Sequence, residues 1–344
     1  MNRPCEQQGV EMQKVVLGRT GLEVTRIGFG GIPIQRRSVE DAVEVIRKAL
    51  DMGVGIIDTA RVYTDSEAKI GAAVRGRSER PVVVTKTYER GADAARRDVD
   101  VSLWNLGVPS IDVYLLHNVG SVEALDRVTS RGGALEGLSR AKSDGAIRFI
   151  GISGHNPSVL QEALARDLFD VVEVPLNAIE QDSLELIEQA RERDVATIIM
   201  KPLAGGALKP AAAAIRFVLA HPVTCVVPGM QTIAEVEENL GAEGELSRDE
   251  REGLLAEAAK WEGRFCRRCG YCSPECPNNM NIPGILVFAS YSQRYGLTEW
   301  ARERYAEMPV KADACEECGK CEEMCPYNLP IRELLKEAHE ELAG

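Results

Sequence analysis

Eight of the chain's ten cysteines fall into two copies of one pattern, Cys266-x2-Cys269-x2-Cys272-x3-Cys276-Pro277 and Cys315-x2-Cys318-x2-Cys321-x3-Cys325-Pro326. Three cysteines at successive two-residue gaps wrap a chain round one corner of a cube. A fourth, followed by proline, leaves toward a neighbouring group. The spacing predicts two 4Fe–4S clusters with crossed ligand sets, Cys266, Cys269, Cys272 and Cys325 on one and Cys315, Cys318, Cys321 and Cys276 on the other. Structural zinc, which gathers Cys-x2-Cys pairs from separate turns, is the competing reading. A disulfide framework fits less well, because nothing at the N-terminus resembles a signal peptide. Of the two remaining cysteines, Cys5 lies in a polar tail and reads as a spare thiol, and Cys225 lies in an apolar run and reads as a small core residue.

Such clusters move single electrons, and 344 residues leave room for a large domain ahead of them. A formal charge of −12, without clustered Lys and Arg, argues against nucleic-acid and membrane-surface roles. No run of about 18 uncharged apolar residues occurs, so no spanning helix is expected and the chain reads as cytoplasmic.

Residues 1–13 read as a disordered lead-in, and 14–26 as a hairpin around Gly18-Arg19-Thr20-Gly21. Short β-branched runs then alternate with amphipathic stretches. Strands are predicted at 27–30, 55–59, 82–86, 111–117, 149–153, 171–175, 196–200 and 225–228, and helices at 38–52, 94–106, 121–142, 157–166, 183–193 and 209–220 among others. Eight strands alternating with helices predict an α/β fold, a (β/α)8 barrel over 14–245. A doubly wound open sheet is the alternative, disfavoured because no Gly-x-Gly-x-x-Gly opens a helix after the first strand. A linker helix over 246–261 opens at the capping box Ser247-x-x-Glu250. The cysteine domain fills 262–344. Its spacer, 277–314, holds helical stretches at 285–295 and 298–308, resembling helical ferredoxins more than compact two-cluster ones. Cys276-Pro-Asn-Asn-Met-Asn-Ile and Cys325-Pro-Tyr-Asn-Leu-Pro-Ile form a weak internal repeat, so each half should contribute to both clusters and neither should fold without iron and sulfide.

In a (β/α)8 barrel the chemistry sits at the C-terminal strand ends. Strand two there ends in Asp58-Thr59-Ala60-Arg61-Val62-Tyr63, strand three in Thr85-Lys86-Thr87 and strand four in Leu115-Leu116-His117-Asn118. Together with Ser66-Glu67, Asp112-Val-Tyr-Leu-Leu-His, Ile147-Arg-Phe-Ile-Gly-Ile-Ser, Val227-Pro-Gly and Glu238-Asn239, these stretches resemble the aldo/keto reductase family over residues 14–241. With the cysteine domain attached, the chain is similar to that family's iron–sulfur branch. The resemblance implies a catalytic tetrad of Asp58, Tyr63, Lys86 and His117. Tyr63 supplies a proton once Lys86 lowers its pKa, Asp58 orients Lys86, and His117 fixes the carbonyl. Taken singly, each has a structural reading: a buried ion pair, a core tyrosine, a strand-end histidine.

The resemblance also implies a nicotinamide site near Ser153, Glu173 and Met200. Glu accepts from the carboxamide NH2 but cannot donate to its oxygen, and Met offers sulfur contact in place of ring stacking. The loop from Leu203 through Gly205 to Leu208 would admit a pyrophosphate, or is a plain turn. Gly229, Gln231 and Glu235 stand where basic groups would read a 2′-phosphate, which favours NAD(H) over NADP(H). Thr232-x-x-Glu235 is equally a capping box. His155, after strand five, reads as a rim histidine bonded to backbone, or as a substrate contact. The short connections suggest that the cysteine domain completes the substrate pocket.

The resulting expectation is an oxidoreductase interconverting a carbonyl and an alcohol by hydride transfer, with two clusters wired to it or to a redox partner protein. The alternative is an iron–sulfur electron-transfer protein whose barrel is a flavin-binding or docking scaffold. Nicotinamides pass electrons in pairs and clusters singly, so a direct relay needs a converter such as a flavin.

Overall fold

The computed structural model describes residues 12–344. Cys5 and most of the expected lead-in lie outside them. The last two lead-in residues are ordered, with Met12 buried and the Gln13 amide donating to Glu243 Oε1 at 2.8 Å. The chain divides into two compact units. One holds residues up to Asn177 together with Gln181–Pro202 and Pro210–Ser247; the other holds Ala178–Glu180, Leu203–Lys209 and Arg248–Gly344.

The first unit begins with an antiparallel hairpin, β1 (Lys14–Val16) and β2 (Glu23–Thr25). Eight parallel strands follow: β3 (Phe29–Gly30), β4 (Ile56–Asp58), β5 (Val82–Thr87), β6 (Ile111–Leu116), β7 (Ile147–Ser153), β8 (Val171–Pro175), β9 (Ala196–Met200) and β10 (Cys225–Val226). Each pairs with its sequence neighbour. Parallel bridges Ile27 to Val226 and Gly30 to Gly229 close β3 onto β10, giving the expected barrel. Strands β5 and β6 are buried almost throughout, because helices cover one side and the barrel core the other.

The crossover helices are α1 (Val39–Asp51), α2 (Ser66–Val74), α3 (Ala92–Leu106), α4 (Val122–Thr129), α5 (Ala134–Ser143), α6 (Pro157–Ala165), α7 (Leu184–Glu192), α8 (Ala211–Leu219) and α9 (Ile233–Leu240). The single helix expected over 121–142 is two, α4 and α5. Gly132 breaks it at φ 79, and a Cβ at Gly133 would stand 2.5 Å from the Arg127 and Val128 carbonyls. The remaining boundaries move by a few residues, as fraying ends do.

Leu17, Leu22 and Val24 of the hairpin share one apolar cluster with Ile56, Val84, Val113 and Ile198 from inside the barrel. The hairpin therefore plugs the N-terminal end. Gly18 makes the approach possible, since its Cβ would meet the Ala196 amide and the Asp194 carbonyl at 2.6 Å. With that end sealed, polar groups at the opposite strand ends form the open face.

The second unit contains α10 (Arg248–Ala259), α11 (Ile282–Tyr295), α12 (Thr298–Ala306), the short α13 (Lys320–Glu323) and α14 (Ile331–Leu342). Its core joins Ile285, Ala301, Tyr305, Ile331 and Leu335 to the cysteines Cys272, Cys321 and Cys325.

Candidate active site and cluster-binding cysteines

Register places the polar strand ends side by side, with Gly30 opposite Asp58 and Ser153 opposite Glu173. Lys86 is the centre of the group. Its Nζ donates to Asp58 Oδ1 at 2.5 Å and to the Thr59 carbonyl at 3.0 Å. It also lies 3.2 Å from Glu173 Oε2, within ion-pair range but not aligned for a hydrogen bond. Its ammonium stands 5.6 Å from the Tyr63 ring centroid, and the rings of Tyr63 and His117 meet edge to face at 5.9 Å. The four tetrad candidates therefore do come together, from β4 and the loops after β4 and β6, and from β5.

Asp58, Lys86 and Glu173 are all buried. Burial works against the Lys86 charge, but Asp58, Glu173 and Tyr63 together outweigh it and raise the pKa above its ordinary value. Burial raises Asp58 as well, against the pull of Lys86. Glu173 is pushed up to about 8, first by burial and then by repulsion from Asp58, with Lys86 and Lys201 opposing. Two carboxylates thus flank one ammonium, and the second to ionise is Glu173. His117 is held well below its ordinary pKa by burial, then by Lys86, Arg90 and Lys201. It is neutral at pH 7, and its buried Nδ1 has no hydrogen-bond partner.

Below this group Glu67 is buried and fully engaged. It accepts from Arg61 at 3.1 Å, Thr85 Oγ1 at 2.8 Å and Asn105 at 3.0 Å, which fixes the start of α2 and the turn that carries Tyr63.

The other expected contacts divide. Ser153 Oγ accepts from the Asn118 amide at 3.0 Å, and Met200 ends β9 half-buried. His155 meets the side chain of Lys201, Nζ to Nδ1 at 3.1 Å. Leu203 and Gly205 belong to the second compact unit. At the start of α9 the capping box is present: Thr232 Oγ1 accepts from the Glu235 amide, while Glu235 Oε2 accepts from the Gln231 and Thr232 amides at 2.7 and 3.1 Å. Gly229 packs on Pro33, Asn239 is buried and Glu238 is exposed.

Three side chains near the site escaped the sequence reading. Tyr88 stacks against His117 at 4.4 Å between centroids, Arg90 donates to the His117 and Asn118 carbonyls, and Arg36 reaches Gln231 Oε1 at 3.2 Å. Tyr88 had a usable signal, since it lies two residues beyond Lys86. Arg36 had none, because its partner is far away in the sequence.

In the second unit the cysteines ring two cavities. One is lined by Cys266, Cys269, Cys272 and Cys325, the other by Cys276, Cys315, Cys318 and Cys321. Among the described residues no three ligand side chains converge on a point, as a single ion would need. Four thiols around a cavity suit a cubane cluster.

The barrel, the acidic–basic group at its strand ends and the cysteine unit describe an oxidoreductase. The aldo/keto reductase family model matches residues 26–212 and a 4Fe-4S dicluster domain model matches 265–330, so the chain belongs to the aldo/keto reductase family and carries an iron–sulfur domain at its C-terminal end. It is 29% identical to the L-galactose dehydrogenase of Arabidopsis thaliana over 283 residues, covering 67% of this chain and 88% of the relative. It is 27% identical to the 6-dehydroglucose reductase of Novosphingobium aromaticivorans, over 56% of this chain and 69% of the relative. Among solved structures an aldo-keto reductase from Bacillus halodurans superposes with a TM-score of 0.64 at 23% identity, covering 72% of this chain and 96% of that one. Among the described residues no helix is long and apolar enough to cross a membrane.

Proposed function

We propose that this reductase interconverts a small-molecule carbonyl and its alcohol through Asp58, Tyr63, Lys86 and His117, using a nicotinamide dinucleotide, and holds two 4Fe–4S clusters by crossed cysteine sets. The observation that carries the reading is the buried Lys86 ammonium beside the Tyr63 ring, clamped by Asp58. When bound, the dinucleotide supplies or takes up the hydride at the carbonyl carbon. The Tyr63 hydroxyl gives its proton to the carbonyl oxygen, and the ammonium stabilises the phenolate left behind. Neutral His117 donates one N–H to the same oxygen without competing for the proton.

Burial changes what Glu173 offers. With its pKa raised it keeps its proton to higher pH than an ordinary carboxyl, and the protonated form carries the O–H donor that an ionised Glu lacks, so it suits both ends of a carboxamide. This removes one support for the alternative in which the barrel is only a docking or flavin scaffold. The unpartnered Nδ1 of His117 is the kind of orphan that a bound ligand satisfies.

NAD(H) remains the proposed dinucleotide because Glu235 lies at the start of α9. Arg36 on Gln231 works in the opposite direction, and relative kcat/KM with the two dinucleotides decides between them. Sugar-type carbonyls are the first substrates to try, since the names of two relatives carry sugars. The test is anaerobic oxidation of NADH and NADPH with a panel of aldoses and simple aldehydes. Carbonyl-dependent turnover supports the reading. Failure with every carbonyl, alongside reduction of one-electron acceptors, would replace it with the electron-transfer alternative.

A further inference from the structure

The two cysteine runs share one backbone. Arg268 and Glu317 occupy the same place in the repeat, between the first and second cysteines, and both are left-handed, at φ 63 and 54. Gly270 and Gly319 match at φ 87 and 79, and Asn279 and Asn328 at φ 52 and 51. Non-glycine residues rarely adopt this conformation, so two such coincidences at one interval, with a glycine pair between them, establish the repeat as structural.

On this common backbone the charges are inverted. Arg267 and Arg268 in the first run stand where Glu316 and Glu317 stand in the second. Run 266–276 is net +1, and run 315–325 is net −3. Neighbouring elements add to the contrast on the first side. Arg294 of α11 lines a cavity with Cys266 and Arg268, its guanidinium 4.3 Å from the Trp261 ring centroid and its buried Nε unpartnered. Its pKa is lowered to about 10, chiefly by burial and then by Arg268. Arg264 is offset by Glu333 and Glu337. On the second side Arg332 lines the cavity with Glu316, but its guanidinium is paired with Glu322 at 2.8 Å.

Resting on the two-cluster reading above, we propose that the inverted charges give the clusters unequal potentials, so that in protein holding one electron it resides on the cluster of Cys266, Cys269, Cys272 and Cys325. A cluster's reduction adds one negative charge, which nearby arginines stabilise and nearby glutamates oppose. The electron therefore runs from the acidic cluster to the basic one, which fixes the direction of any relay. Exposure acts the other way, since Cys318 is exposed and water also stabilises added charge. That difference concerns one ligand, whereas the charge difference extends over each whole run.

The experiment is an EPR-monitored dithionite titration of the full chain, purified anaerobically, with iron and sulfide analysis. Two one-electron waves are expected, separated by at least tenfold in reduction equilibrium, about 59 mV. Asn tolerates the left-handed conformation, so Arg268→Asn and Glu317→Asn leave the backbone undisturbed. Arg268→Asn should lower only the higher-potential wave, and Glu317→Asn should raise only the lower one. Coincident waves in the wild-type protein, or an Arg268→Asn shift in the lower wave, would overturn the assignment. If one variant loses its cluster, the other still decides. Iron and sulfide short of two clusters in the wild-type protein would instead remove the two-cluster reading, and this inference with it.

Discussion

Lys86 stands 3.2 Å from Glu173, a second buried carboxylate beside the ammonium that Asp58 binds at 2.5 Å. Burial first, and repulsion from Asp58 second, push the Glu173 pKa up to about 8 against the pull of the shared ammonium.

This makes Glu173 the group to titrate. The pKa is raised on folding, so between the ordinary carboxylate range and about 8 the folded state holds a proton that the unfolded state has lost. Stability contributed through Glu173 therefore falls as pH rises across that window. The groups facing it are Asp58, Lys86 and Lys201. Urea unfolding of wild type and Glu173→Gln at several pH values should show the variant gaining relative stability as pH rises from about 5 to 8. Parallel curves would mean that the acid titrates elsewhere.

Tyr63→Phe keeps the ring against His117 and removes only the proton donor. Carbonyl turnover should fall about 10²- to 10⁴-fold with little change in melting temperature. A variant within a factor of a few of wild type would exclude Tyr63 as the acid.

Lys86→Met leaves Asp58 and Glu173 facing each other without a cation. The expected loss is about 3–5 kcal/mol at neutral pH, shrinking in acid as Asp58 protonates. Asp58→Asn should cost less, because Glu173 still pairs the ammonium. Chemical denaturation of the two variants measures the difference, and equal losses would contradict the shared-cation arrangement.

The second unit should depend on iron. Cys272, Cys321 and Cys325 lie in its core, so removing the clusters takes away part of what its helices pack on. Chelation under anaerobic conditions should lower far-UV helicity and open 266–342 to proteolysis, while the barrel keeps its own cooperative unfolding transition. An apo chain with unchanged helicity would show that the unit stands on its apolar core alone.

Much of this was legible along the chain because it is local. The two cysteine runs and the strand-end positions of Asp58, Tyr63, Lys86 and His117 depend on spacing within a few residues, and the strand alternation carried the barrel. The break between α4 and α5 was readable in principle from Gly132-Gly133, but periodicity continued across it. Glu173 was placed near a nicotinamide by resemblance, and that it stands beside the Lys86 ammonium bound by Asp58 depends on the fold.

The sequence by itself determined the two cysteine runs, the family and the order of the elements, since these follow from residue type and interval. Tertiary structure alone decided that Glu173 shares Lys86 with Asp58 and that Arg36 reaches Gln231. Those relations join residues far apart in the chain, and their energies depend on distance and dielectric, which exist only once the chain has folded.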